Sequence, residues 1–162
     1  MCNKAYNVTF YRLCKEAQIP TRATWGSYGY DLLAIKEQYI APQNTGVVPT
    51  GLMVKLSKDI ELQIRSRSGL AANKNVFVLN SPATIDFDFF SEAPEEMYKF
   101  ELKVIIHNLD RYSNFVIQPG DRVAQAVPCY LPVVGIYDEN GKNYNQPRCI
   151  NNRIGGIGST GR

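Results

Sequence analysis

The sequence predicts an all-β barrel or sandwich, on three observations. Short runs of β-forming residues recur along the chain, separated by clusters rich in Gly, Pro and Asn. No stretch carries a helical period over about ten residues. The chain has 162 residues, and a domain of that size buries roughly 70% of its unfolded surface, so one domain with a real core is enough.

The first element expected is a strand over residues 7–13, where β-formers alternate weakly, and Lys15 to Trp25 reads as connection. Ser27 to Ala34 is a strand with a kink or bulge at Gly29. Pro42-Gln43-Asn44-Thr45-Gly46 is a turn, and Val47 to Leu56 forms one strand, or two broken near Pro49-Thr50-Gly51. Glu61 to Arg65 alternates cleanly and delivers the chain to Ser66-Arg67-Ser68-Gly69-Leu70-Ala71-Ala72, where alternation stops. That stretch is either an ordinary polar loop or an oxyanion cradle: Arg67 offers a planar fork of donors, Ser68 a hydroxyl, and Gly69 exposed amides.

Val76 to Leu79 and Thr84 to Phe89 read as a hairpin turning through Ser81-Pro82-Ala83. On that reading Thr84, Asp86 and Asp88 share one face, with the two carboxylates about 6–7 Å apart. They are solvated edge residues, or one is a general base if anion-binding groups converge on it. Residues 90–100 are acidic and turn-like and predict a long exposed loop. Further strands follow at Glu101 to Asn108, Asn114 to Ile117 and Arg122 to Tyr130. Gln125, a polar amide in an apolar strand, is a structural linchpin or lines a site. From Asp138 onward only isolated apolar residues remain, so residues 138–162 form a flexible tail beside a folded unit of residues 1–137. That tail contains the glycine-rich run from Arg153 to Gly161, a disordered end or a phosphate-closing flap.

Composition limits the function. The formal charge of +3, with 20% charged residues and no Lys/Arg run, is weak support for nucleic-acid binding, and a small anionic ligand fits equally well. Cys2, Cys14, Cys129 and Cys149 are widely spaced and His107 is the single histidine, so no structural zinc site is expected and His107 reads as a satisfied or exposed strand-end residue. With no apolar signal core and no apolar run near about 18 residues, the expectation is a soluble intracellular protein with free thiols and no membrane contact, in cytoplasm or nucleus alike.

Taken together, Gly29-Tyr30-Asp31-Leu32, Arg67-Ser68-Gly69-Leu70-Ala71, Asn80 through Asp88, Gly120-Asp121-Arg122-Val123-Ala124-Gln125 and Gly155 through Gly161 resemble the five ordered motifs of the trimeric dUTP pyrophosphatase family. The resemblance implies a jelly-roll-like fold assembled as a homotrimer, with active sites between subunits and the C-terminal arm closing a neighbour's site. It implies hydrolysis of dUTP to dUMP and pyrophosphate, which limits uracil incorporation into DNA and supplies dUMP. Residue by residue, it implies Asp86 as general base, Arg67, Ser68, Gly69 and Gln125 as triphosphate contacts, and Asn80, with Ile85 nearby, on the uracil side. Phe89 stands where the family usually has a tyrosine under the deoxyribose. Arg153, Ile157, Gly158, Ser159 and Thr160 belong to the closing arm. Mg2+ is implied as cofactor, held chiefly by the triphosphate and waters, with Asp31 at most nearby through water and no direct protein ligand.

Two departures from the family pattern stand out. Residues 93–100 intervene before Glu101-Leu102-Lys103-Val104 resumes it, and this insert over about 90–100 could recruit a protein partner. In the arm, the spacing between Arg153 and Gly156 is one residue short, and Ile157 replaces a phenylalanine expected to stack on uracil. These departures motivate an alternative, a nucleotide-binding regulatory protein of the same fold with little catalysis. A third reading, the related dCTP deaminase branch, accounts less well for Arg67-Ser68-Gly69 beside a Gly-Ser-Thr-Gly arm.

Overall fold

The computed structural model describes residues 6–132, 134–143 and 145. In chain order the elements are β1 (Val8–Arg12), β2 (Thr21–Arg22), β3 (Tyr30–Leu33), β4 (Gln38–Ile40), β5 (Thr45–Pro49), β6 (Leu52–Leu56) and β7 (Ile60–Arg65). They continue with α1 (Ser68–Lys74), β8 (Val76–Val78), β9 (Ala83–Ile85), a 3-10 turn (Met97–Phe100), β10 (Lys103–Asn108), β11 (Phe115–Ile117) and β12 (Arg122–Tyr130). The all-β expectation holds among the described residues.

The strands form small sheets, ordered β2-β3-β12-β7-β9, β5-β10-β8, β1-β6 and β4-β11. Their inward faces share one core, with Leu32, Leu52, Met53, Leu62, Ile106, Ile117 and Ala124 fully buried. β7 shows the alternation read from its sequence: Ile60, Leu62 and Ile64 point inward while Glu61, Gln63 and Arg65 do not. β12 breaks the rule, because Val123 and Ala124 are buried consecutively. Its pairing with β3 shifts register between Arg122 and Ala124, so the extra residue of a bulge turns Gln125 away from the core.

The predicted break in Val47 to Leu56 falls at Thr50-Gly51, between β5 and β6. Gly51 has φ +66°, and a Cβ there would lie 2.7 Å from Cys14 Sγ and 2.9 Å from Ala17 Cβ, so both conformation and space demand glycine. His107 is satisfied as expected, with Nδ1 3.0 Å from Thr45 Oγ1 and its ring beside Phe77. The thiols of Cys14 and Cys129 are free.

Three expectations are corrected. The stretch after Ser66 is a helix, α1, with no buried residue, too short and too exposed to show an apolar period. Val76–Val78 and Ala83–Ile85 are not a hairpin: β8 pairs with β10 and β9 with β7, so the chain changes sheets at Asn80-Ser81-Pro82. Strand β9 ends at Ile85, and Asp86 and Asp88 lie on the turn that follows instead of sharing a strand face. Residues 90–100 are only partly the exposed loop expected: Glu92, Pro94, Glu95, Tyr98 and Lys99 are exposed, but Phe100 is 2% exposed and the 3-10 turn lies against β6. Spaced apolar residues among acids gave no periodic signal of this docking.

Asn108 is the main buried polar anchor, 1% exposed. Its Nδ2 donates to the carbonyls of Ile40 (3.0 Å), Ala41 (3.3 Å) and Ser113 (2.9 Å), and its Oδ1 accepts from Asp110 N (3.1 Å). Asn108→Ala would leave several of these groups buried without partners, so we expect a loss of about 2–4 kcal/mol in stability, measured by equilibrium urea unfolding. A loss under about 0.5 kcal/mol would show that water replaces the amide.

Candidate active site

Four polar positions form a row across the largest sheet. The registers set Thr21 opposite Asp31, Asp31 opposite Gln125, and Gln125 opposite Arg65. Residues directly opposite in antiparallel strands share a face, so the β12 bulge aligns a carboxylate, an amide and a guanidinium at neighbouring positions.

Arg67 and Arg122 complete the cluster. Arg67 Nε donates to Asp31 Oδ1 at 3.0 Å and Arg67 Nη1 to the Arg122 carbonyl at 3.1 Å, while Arg122 Nη1 lies 3.5 Å from Asp31 Oδ2. The side chains of Asp31 and Arg67 are 17% and 23% exposed and that of Arg122 55%. Two guanidinium groups thus face one carboxylate, which leaves a positive excess at the rim and suits an anionic ligand.

Gln125 holds a linchpin position at the edge of this cluster. Its Nε2 donates to the Ser66 carbonyl at 3.1 Å, holding the strand end from which Arg67 and Ser68 project. Its Oε1 lies where a Cβ on Gly29 would be only 2.3 Å away. The kink read at Gly29 therefore reflects close backbone approach to Gln125. Ser66 ties the next segment in: its Oγ accepts from Val78 N at 2.9 Å, and its N donates to Ser81 Oγ at 3.2 Å. Asn80 is exposed on the loop so anchored.

Ser68 and Gly69 are exposed in the first turn of α1, where backbone amides have no partner within the helix, and the Arg67 carbonyl already accepts from Leu70 N and Ala71 N, both at 3.1 Å.

Not all predicted residues join this cluster. Ile85 lies opposite Leu62, so Asp86 follows at the Ile60 end of β7 while Arg67 follows the Arg65 end, roughly 15–20 Å away along the strand. Ile85 is half-buried and packs on the core. Phe89 is not a surface platform: it is 6% exposed and meets the Phe100 ring edge-on at 5.7 Å. Arg153, Ile157, Gly158, Ser159 and Thr160 lie outside the described residues.

Sequence reasoning quoted Arg122 within a motif but gave it no role, and missed Ser66. The available signal for Arg122 was its place at the head of the strand carrying Gln125; Ser66 offered none beyond a hydroxyl at a strand end.

Comparison with known proteins identifies the family. The family model described as dUTPase matches residues 15–161. The deoxyuridine 5'-triphosphate nucleotidohydrolase of Helicobacter pylori (strain Shi470) is 40% identical over 154 residues, covering 95% of this chain and 96% of that protein. The Wolinella succinogenes protein of the same name is 36% identical over 164 residues, covering 98% and 97%. Among solved structures, the dUTPase of Streptococcus mutans superposes with a TM-score of 0.67 at 24% identity, over 77% of this chain and 97% of that one. A mutant dUTPase from phage phi11 of S. aureus, described for its coordination of a structural Mg(II) ion, gives 0.70 at 18% identity, over 82% and 95%. Matched in sequence over nearly its whole length and in fold over most of it, the chain belongs to the dUTPase family.

Proposed function

We propose that this protein hydrolyses dUTP to dUMP and pyrophosphate, as a homotrimer of jelly-roll-like subunits whose active sites lie between chains. The observation that carries the reading is the cluster of Asp31, Arg67, Arg122 and Gln125, in a chain whose relatives at about 40% identity are named for this reaction. The separation of Asp86 from Arg67 along β7 supports the assembly, since base and anion binders on one chain are too far apart to act on one phosphate.

Arg67, the Ser68 hydroxyl and the first amides of α1 hold the triphosphate, and Gln125 keeps the Ser66 to Ser68 segment in place. Asn80 borders the uracil, where a close-fitting pocket rejects the thymine methyl and the hydrogen-bond pattern rejects cytosine. Asp86, from a neighbouring chain, takes a proton from a water whose oxygen bonds to the α-phosphorus as the bond to the bridging oxygen breaks and pyrophosphate leaves. The arm of residues 138–162, with Arg153, Ile157, Gly158, Ser159 and Thr160, closes over a neighbour's site and excludes bulk water.

Magnesium fits this donor set as an ion carried in by the triphosphate. Asp31 accepts from Arg67 and Arg122, yet a carboxylate has about four lone-pair sites, so it can also hold a water of the ion's shell. When bound, the ion would neutralise charge developing on the phosphate oxygens.

The primary test is pyrophosphate release with Mg2+ from dUTP, dTTP, dCTP and UTP separately. Release from dUTP alone is expected, and none from it would overturn the reading. Asp86→Asn should keep fold and dUTP binding while turnover falls roughly 100- to 10,000-fold; near-normal turnover would exclude Asp86 as the base. Gly29→Ala pushes Gln125 out of place and should raise KM for dUTP about tenfold, a loss of ~1.4 kcal/mol in binding. Deleting residues 151–162 should preserve the oligomer, judged by light scattering, and sharply lower kcat; an unchanged rate would remove the arm from the mechanism.

A further inference from the structure

Asp86 lies beyond the last residue of β9, it is exposed, and the turn that carries it is closed by Phe89 N donating to the Asp86 carbonyl at 3.0 Å. A general base must be held to within a fraction of an ångström. The last residue of the turn, Phe89, is buried edge-on against Phe100 with the rings at 82°.

Phe100 is itself held firmly. It ends the 3-10 turn, and just after it Leu102 N donates to the Leu52 carbonyl at 2.7 Å and Thr50 Oγ1 to the Leu102 carbonyl at 2.6 Å. Gly51 N donates to Glu101 Oε1 at 2.9 Å. These bonds rivet the far end of the 90–100 segment to the junction of β5 and β6. At its near end, Phe90 meets the Tyr11 ring at 5.6 Å, and Lys55 Nζ lies 4.9 Å from the Phe90 ring and 2.7 Å from Glu92 Oε1. The segment is a strap fastened at both ends, and the Asp86 turn hangs from it.

We infer that residues 90–100 are a positioning brace for Asp86, acting through the edge-on contact of Phe100 with Phe89. The inference rests on Asp86 being the base of the dUTPase reaction, and it assigns the insert an internal role. Phe100 touches no reacting atom, so it is a positioning residue: loosening it lets the carboxylate wander without altering the groups that bind the triphosphate on the other end of β7.

Phe100→Leu keeps most of the buried volume and removes the ring edge, and Phe100→Met refills the space more flexibly. In dUTP turnover at saturating Mg2+ we expect either variant, with native circular dichroism and unchanged oligomeric mass, to lower kcat about tenfold or more while KM stays within about twofold. In an Asp86→Asn background the same change should have no further effect on the residual rate. An unchanged kcat in a folded variant, an equal loss in the Asp86→Asn background, or a rise in KM alone would overturn the brace. Should Phe100→Leu fail to fold, Phe100→Met is read by the same criteria. A wild-type protein that fails to hydrolyse dUTP would instead overturn the functional reading, so the two failures are distinct.

Discussion

The geometry of the site depends on the bulge at the start of β12. Side chains on a strand alternate faces, and a shift of one residue would send Gln125 into the core beside Ala124 and Ala126. An amide buried there without partners would cost about 1–3 kcal/mol, whereas on the outer face it reaches the Ser66 carbonyl. The bulge therefore aligns Gln125 with Asp31 and Arg65, and through Ser66 it fixes where Arg67 and α1 begin. Gly29 is the complementary condition, because any side chain there would occupy the space of the Gln125 carboxamide.

Electrostatics adds a second level to the same arrangement. Asp31 is mostly buried and would be costly alone, but Arg67 and Arg122 both face it. The carboxylate orients the two guanidinium groups without cancelling them, since one negative charge meets two positive ones. Arg122, with more than half its side chain exposed, keeps most of its donors toward solvent. On the proposed function, a cluster held in this way would meet phosphate already ordered, which reduces the ordering cost of binding.

Much of this was legible in the sequence where a local rule governs. β7 alternates because one face is core and the other is not, and the chain breaks at Thr50-Gly51 because only glycine fits there. Arg67 and Gln125 could be named from their chemistry, a guanidinium just past a strand end and an amide inside an apolar strand, whereas Asp31 came from the family resemblance. What stayed hidden depended on pairing between distant segments. Nothing local says that Val76–Val78 pairs with β10 and Ala83–Ile85 with β7, so two neighbouring β-runs resembled a hairpin. Nor could Phe89 be told from a surface ring: its burial follows from Phe100, which lies beyond a segment of acidic, turn-like composition.

The division of the site is the point at which fold and chemistry meet. β7 carries anion-binding groups beyond one end and, through β9, the Asp86 turn beside the other. On one chain this keeps a carboxylate away from the guanidinium groups, so neither Asp86 nor Asp88 neutralises Arg67 or Arg122 in the isolated subunit. On the proposed function, bringing Asp86 to the phosphate would fall to a second copy, and the carboxylate would arrive as part of an assembled, drier site. A base delivered in that way would not be steered by the strand that holds the anion, so its precision would come from its own chain. The rigid contacts around Phe89, Phe100 and the β5 to β6 junction lie where such an arrangement requires stiffness, on the far side of the subunit from the groups that bind.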